Sequence, residues 1–355
     1  MLLRNYKYSI NKHTFNFKFE AGTSRGIMTS RDAWLLKIWD NDLPGIIGIG
    51  ECAPLKGLSP ELDENFEKTI NCKLAEIFSV GSLFDNGILE GLEALPSLRF
   101  ALECAILDLK NGGTKILFDT DFSKGRSTID INGLVWMGNK ERMIEELGQK
   151  IEQGYKCVKI KIGALDFREE CGILEYLRNK LSEEIELRLD ANGGFAYSEA
   201  LEKLKVLSQY RIHSIEQPIK QGQWENMKIL CERSPVRIAL DEELIGINGK
   251  EKKNEMIAAI QPAFIILKPT LLGGLAATTE WIEIAEERGV GWWITSALES
   301  NIGLNAISQY ASTFDLKSFP QGLGTGQLYY NNIGSSLVIE SGSLRYDTTL
   351  KWDNI

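Results

Sequence analysis

Short apolar runs recur along the middle of the chain at near-equal spacing, over 158–162, 187–190, 213–216, 238–241 and 265–268. Each is built on Leu, Ile or Val and carries a charge at or next to its end. Those charges fall at Lys161, Asp190, Glu216, Asp241 and Lys268, so the steps are 29, 26, 25 and 27 residues. One strand, one helix and two loops fill about that length. The pattern predicts a (β/α) barrel, in which the C-terminal ends of the strands carry the chemistry. Helical periodicity occupies the intervals, at 139–153, 167–180, 197–209 and 274–288, with shorter candidates at 224–231 and 252–259. Residues 127–135 read as a first barrel strand, 292–296 as a seventh and 302–313 as its helix. The run 321–326 ends where an eighth strand should end, which makes seven or eight βα units.

The first 51 residues alternate instead. Strands at 6–9 and 15–19 flank Asn11-Lys12-His13, which reads as a hairpin turn, and further strands fall at 33–39 and 46–49. A glycine-bearing loop at 21–26 either joins strands or covers a site as a lid. Ser59 and Pro60 suit a helix start, followed by Leu62, Phe66, Ile70 and Leu74 on one face. A stronger helix spans 96–109 and stops at Asn111-Gly112-Gly113. These patterns predict an α+β capping domain over 1–120 and a barrel over 121–332. The alternating tail, 333–355, is expected to return to the first domain and complete it.

Composition narrows the partners. Against 40 basic residues stand 49 acidic ones, a net charge of −9, which argues against nucleic acid and against an anionic membrane surface. No apolar run is long enough for a transmembrane helix, and Arg4 interrupts anything resembling a signal peptide. Six irregularly spaced cysteines without a C-x-x-C pair read as free thiols in a reducing cytoplasm. Only His13 and His213 are available as imidazoles, and His213 faces away from Glu216 on its strand. Acid–base chemistry is therefore expected from carboxylates or lysines.

One acidic strand end is an ordinary helix cap. Asp190, Glu216 and Asp241 on three consecutive barrel strands would converge at one mouth and raise one another's pKa unless a cation neutralised them. A hard divalent ion with oxygen ligands fits, Mg²⁺ first and Mn²⁺ as a substitute. Strand periodicity puts Lys159 and Lys161 on one face. Crowded and partly buried, one of them can be neutral and act as a general base. Lys268 lies across the barrel, its strand stopped by Pro269. With the ion bound and Lys161 neutral, Lys159 and Lys268 leave a net positive site suited to an anionic small molecule. A metal-bound carboxylate has an acidified α-proton, which Lys161 would remove.

The sequence Lys159-x-Lys161, then Asp190-Ala191-Asn192, Glu216-Gln217-Pro218, Asp241-Glu242 and Lys268-Pro269, resembles the enolase superfamily in its muconate lactonizing enzyme subgroup. Gly48-Ile49-Gly50-Glu51-Cys52-Ala53-Pro54 extends the resemblance into the capping domain. It implies a modified TIM-type barrel, (β/α)7β, with Mg²⁺ on Asp190, Glu216 and Asp241. It also implies Lys161 and Lys268 on opposite faces of the substrate. The stretches 267–274, 295–303 and 322–326 are similar to the o-succinylbenzoate synthase family of menaquinone biosynthesis. That likeness implies a lyase. Lys161 would take the α-proton of a cyclohexadiene carboxylate bearing a hydroxyl and a succinyl chain, then return it to the departing hydroxide. Lys268 would stay charged. Substrate contacts are implied at Ser296, Glu299, Ser300 and Gly324, and at Arg25 in the lid-like loop.

Asn192 and Glu242, with Gln217 and Glu243, either brace the ligands and lysines or cap helices. The alternative activity is a racemase or epimerase of N-acyl amino acids or dipeptides, using both lysines as bases. The 322–326 run holds no acid for a substrate ammonium, which weighs against the dipeptide form. A muconate-type cycloisomerase is a third reading, and a non-catalytic barrel is opposed by the complete acid and base set. The oligomeric state is left open.

Overall fold

The computed structural model describes residues 5–23, 26–79, 83, 86–180, 184–317 and 319–355. Two long strands, β1 (Tyr6–Thr23) and β2 (Gly26–Asp40), form one antiparallel hairpin, paired from Tyr6↔Asp40 to Thr23↔Gly26. The turn expected at Asn11-Lys12-His13 is absent, because these residues pair with Leu35, Trp34 and Ala33. A continuous partner strand outweighs the local turn preference of Asn. The pairing runs on instead to Thr23↔Gly26, and Arg25 lies outside the described residues.

β3 (Ile47–Cys52) pairs with the other edge of β2. α1 (Phe66–Ser79) starts later than expected. Ser59 Oγ accepts from the Leu55 amide at 2.8 Å and so closes a turn rather than capping a helix. α2 (Pro96–Lys110) begins on its proline and packs Leu98, Ala101, Leu102 and Ala105 against the sheet. The approach is close: a Cβ at Gly50 would overlap the Ala101 carbonyl oxygen.

The predicted first barrel strand is split into β4 (Thr128–Asp130) and β5 (Gly133–Val135). The chain then alternates. α3 (Lys140–Glu152) is capped by Asn139, whose side chain accepts from Arg142 N at 2.9 Å. There follow β6 (Cys157–Lys161), α4 (Phe167–Lys180), β7 (Glu186–Asp190), α5 (Tyr197–Leu207), β8 (Ser214–Glu216) and α6 (Trp224–Arg233). Next come β9 (Ile238–Leu240), α7 (Lys250–Ile260), β10 (Phe264–Leu267), α8 (Pro269–Leu272), α9 (Gly274–Glu287), β11 (Gly291–Ile294) and α10 (Asn301–Ala311).

The seven strands β5 to β11 lie parallel and in chain order in one curled sheet, the arrangement that successive right-handed βα units produce. The eighth position holds two bridges instead of a full strand. Gln321 N donates to Asp130 O at 2.8 Å and Gly322 N to Ile294 O at 2.9 Å, joining the two edges. The fold is thus a (β/α)7β barrel with an antiparallel N-terminal unit.

The tail hairpin, β12 (Leu337–Glu340) and β13 (Ser343–Tyr346), pairs with β4 as a separate three-stranded sheet. Its last residues, Trp352 and Ile355, pack against the cluster holding Phe15, Phe17 and Leu35. Among the described residues no helix is long and apolar enough to cross a membrane.

Candidate active site

Strand register assembles the site. Lys161 pairs with Asp190 across β6 and β7, and Asp190 with Glu216 across β7 and β8. Asp241 follows β9 and Lys268 follows β10, so all five side chains sit at one end of the sheet. Lys159 is also buried, two positions before Lys161 and on its face. Its ammonium donates to Glu216 Oε2 at 2.8 Å and lies 3.4 Å from Asp190 Oδ2. Lys161 donates to Asp190 Oδ2 at 3.0 Å and to the amide oxygen of Asn192 at 2.8 Å. Lys268 donates to Asp241.

Around this cluster, Asn192 holds a site lysine, while Gln217 and Glu243 bond backbone and each other. Asn192 Nδ2 donates to Glu242 Oε1 at 3.1 Å, which ties Lys161 to the loop after β9. Gln217 Oε1 accepts from the Asp241 amide at 3.2 Å, and its Nε2 donates to Glu243 Oε2 at 3.0 Å. Asn192 and Gln217 hold φ of 43° and 38°, left-handed values that side chains other than glycine adopt at a cost. Such strain one or two residues after an acidic strand end is the kind that gathers at functional sites.

Three lysines and three carboxylates share this volume, and their surroundings separate them. Burial presses Lys161 toward its neutral form, and the neighbouring Lys159 and Lys268 add to this against the pull of Asp190. Burial acts on Lys159 as well, but Glu216 and Asp190 outweigh it and raise its pKa. Lys268 behaves likewise, held charged by Asp241 and Glu242. Burial pushes the Glu216 carboxyl up to about 7, while Asp190, against the same burial, is drawn far down by its lysines.

Among the described residues no three acidic, His or Cys side chains are gathered as a ready metal cage. The lysines hold the carboxylates in its place. The donor set nevertheless suits a hard divalent cation, since it is all carboxylate. Moreover, Glu216 Oε1 is fully buried without any hydrogen-bond partner, a vacancy that a cation would fill.

A cavity of about 290 Å³ opens over the cluster, with Lys159, Lys161, Asp190, Asn192 and Lys268 at its base. The N-terminal unit closes it from above through Phe19 and Met28 of the hairpin and through Leu55 and Leu58. Trp136 forms a wall, its ring centre 5.8 Å from Lys161 Nζ. Ser296 and Gly324 line the cavity. Ser296 Oγ donates to Glu299 Oε2 at 2.5 Å and accepts from Thr325 Oγ1 at 2.7 Å.

Glu299 and Ser300 do not line it. Glu299 is buried beneath, accepting from Thr270 Oγ1 at 2.5 Å. Ser300 gives its amide (2.9 Å) and its hydroxyl (2.6 Å) to Glu51 of the N-terminal unit. Phe19, Met28, Trp136, Lys150 and Tyr155 also line the cavity, none of them expected from sequence. Trp136 directly follows a strand, so the strand-end rule alone marks it. The others carry no such mark.

A family model described as enolase C-terminal domain-like matches residues 142–349. The o-succinylbenzoate synthase of Desulfotalea psychrophila is 44% identical, over 92% of this chain and 95% of that protein. The crystal structure of MenC from Desulfotalea psychrophila LSv54 superposes with a TM-score of 0.82 at 40% identity, covering 96% of this chain and 99% of that one. A dipeptide epimerase from Enterococcus faecalis V583, complexed with Mg and a dipeptide, shares the fold at a TM-score of 0.82 but only 19% identity, with 96% of each chain covered. Motifs, register and these likenesses agree, and the chain belongs to the enolase superfamily and, within it, to the o-succinylbenzoate synthase family.

Proposed function

We propose that this chain is an o-succinylbenzoate synthase, a lyase of menaquinone biosynthesis. It would remove water from 2-succinyl-6-hydroxy-2,4-cyclohexadiene-1-carboxylate. Identity of 44% to a synthase along nearly the whole chain supports the substrate. The observation that carries the mechanism is the setting of Lys161. It is a buried lysine in the cavity base, hydrogen-bonded to a neutral amide oxygen as well as to Asp190.

In this reading neutral Lys161 takes the proton from the ring carbon bearing the carboxylate. The electron pair of that C–H bond is first held as the enediolate of the substrate carboxylate. It then moves into the ring as the C–O bond to the hydroxyl on the same face breaks, and the departing hydroxide recovers the proton from Lys161 as water. The aromatic product makes the step downhill. Lys268 and Lys159, held charged by their carboxylates, offset the negative charge that the substrate carboxylate gains. Asp190, Glu216 and Asp241 would hold a divalent cation of the Mg²⁺ type, which supplies the charge that acidifies the α-proton. The magnesium in the Enterococcus faecalis epimerase supports that choice. Mn²⁺ fits the same oxygens.

The division into a capping domain (1–120 with 333–355) and a catalytic barrel (121–332) belongs to the same proposal, as does a cytoplasmic setting, which six free thiols support. Racemisation of N-acyl amino acids is the second reading, because Lys161 and Lys268 both line the cavity. The clamp of Lys268 on Asp241 disfavours it as a base.

The test is aromatisation of the cyclohexadiene, followed by absorbance with Mg²⁺ and again with EDTA. Rapid turnover abolished by the chelator is expected. No turnover with Mg²⁺ bound, together with α-proton exchange into N-acyl amino acids in D₂O, would overturn the synthase in favour of the racemase.

A further inference from the structure

The cavity wall holds four lysines, and three of them face carboxylates. Lys159 has Glu216 at 2.8 Å, Lys161 has Asp190 at 3.0 Å, and Lys268 has Asp241. The fourth, Lys150 on α3, has no carboxylate within ion-pair reach among the described residues. Its ammonium donates only to the neutral Oε1 of Gln153, at 3.4 Å, and lies 5.2 Å from the centre of the Tyr155 ring. Glu146, one turn back on the helix, is already taken: Arg142 lies 2.8 Å from it, and it accepts from the Trp136 amide at 3.1 Å.

The stem of Lys150 rests on β5, where a Cβ at Gly133 would meet its Cγ at 3.2 Å, so the side chain is supported along its length. Tyr155 lines the same wall and is 6% exposed, yet its hydroxyl has no hydrogen-bond partner among the described residues. A half-buried cation and a vacant hydroxyl therefore share one side of the cavity, apart from the lysine–carboxylate cluster.

The substrate class argued above carries two carboxylates. The ring carboxylate belongs with the cluster at the base, where its α-proton is removed. The second ends a flexible succinyl chain and must also leave water when the substrate binds, which is costly without a charged partner. Every other lining cation is matched within the site. On the synthase reading, we propose that Lys150, with the Tyr155 hydroxyl, receives the terminal carboxylate of the succinyl arm and sets the enzyme's preference for a diacid. Burial presses the Lys150 ammonium toward neutrality, only partly offset by Glu146, which also lines the cavity, and a substrate carboxylate beside it reverses that pressure.

The test compares kcat/KM for the diacid with that for its succinyl methyl ester, in Mg²⁺ buffer. Wild type is expected to favour the diacid by about tenfold or more, the scale of one hydrogen bond to a charged group. Lys150→Met should bring the ratio close to one, while Lys150→Arg should keep the preference. Should the Met variant melt early, Lys150→Gln, which keeps an aliphatic stem over Gly133 and a polar tip, is the second substitution, with the same loss expected. A variant without the ammonium that keeps the wild-type ratio overturns this inference and leaves the reaction standing. A wild type that turns over both compounds equally well also overturns it. A wild type that turns over neither overturns the synthase reading and this inference together.

Discussion

Lys159, Lys161 and Lys268 are one residue type in three settings. Each loses water, but only in Lys161 does burial outweigh the neighbouring carboxylate. Asn192 maintains that difference by taking one hydrogen bond from Lys161 with a neutral oxygen and by tying itself to Glu242. Asn192→Ala is expected to lower kcat/KM by about 10- to 100-fold, the usual cost of removing a group that orients a site residue. Steady-state kinetics reads this, and an unchanged value would remove Asn192 from the mechanism.

Ser300 is the contrasting case. Its hydroxyl serves Glu51 at 2.6 Å, away from the cavity. Ser300→Ala is therefore expected to cost about 1–3 kcal/mol in urea unfolding with KM unmoved. A raised KM at full stability would return it to the substrate. The lysines and acids were legible because strand alternation decides which way a side chain points. Ser300 was not, because it follows its strand by several residues, and only the docked Glu51 fixes its direction. The lining role of Lys150 was hidden for a related reason, since it comes from a helix face that meets the cavity only after folding.

Among elements, α2 joins the two units. Its Glu103 side chain accepts from the amides of Leu275 and Ala276, capping the start of α9 across the interface. Burial pushes the Glu103 carboxyl up to about 7 from an ordinary value of 4.5. The unfolded chain gives up this proton first, so the contribution is full below pH 4.5 and is lost as pH rises through about 7. The stability difference between wild type and Glu103→Gln should shift by roughly 3 kcal/mol against wild type from pH 4 to pH 8. Urea midpoints at both pH values check it, and a constant difference would contradict it.

Element boundaries show where local patterns fail. Asn11-Lys12-His13 has turn chemistry but lies opposite Leu35, Trp34 and Ala33, and ladder pairing prevails. Ser59-Pro60 has cap chemistry, but its hydroxyl is spent on the Leu55 amide. The barrel strands were legible because burial on both faces leaves their apolar runs unbroken.

At the scale of the molecule, the site exists because a barrel brings distant strand ends together and a hairpin covers them. Phe19 and Met28 reach the cavity from β1 and β2. Asp190, Glu216 and Asp241 stand at that end of the sheet, each held by a lysine, and Glu216 Oε1 has no hydrogen-bond partner. Mg²⁺ should therefore bind the folded chain in preference to the unfolded one. At a hundredfold excess over its Kd it should add about 2.7 kcal/mol of stability. A Tm insensitive to Mg²⁺ and EDTA would speak against the carboxylate site.

In the proposed mechanism Lys161 moves the proton. The most direct measurement is dehydration of the cyclohexadiene by Lys161→Ala beside wild type, with Mg²⁺ binding and folding verified in both. A loss of about 10²–10⁴-fold or more in kcat is expected, the scale of a positioned general base, in an enzyme that still binds the ion. Full Mg²⁺-dependent turnover by Lys161→Ala would contradict it.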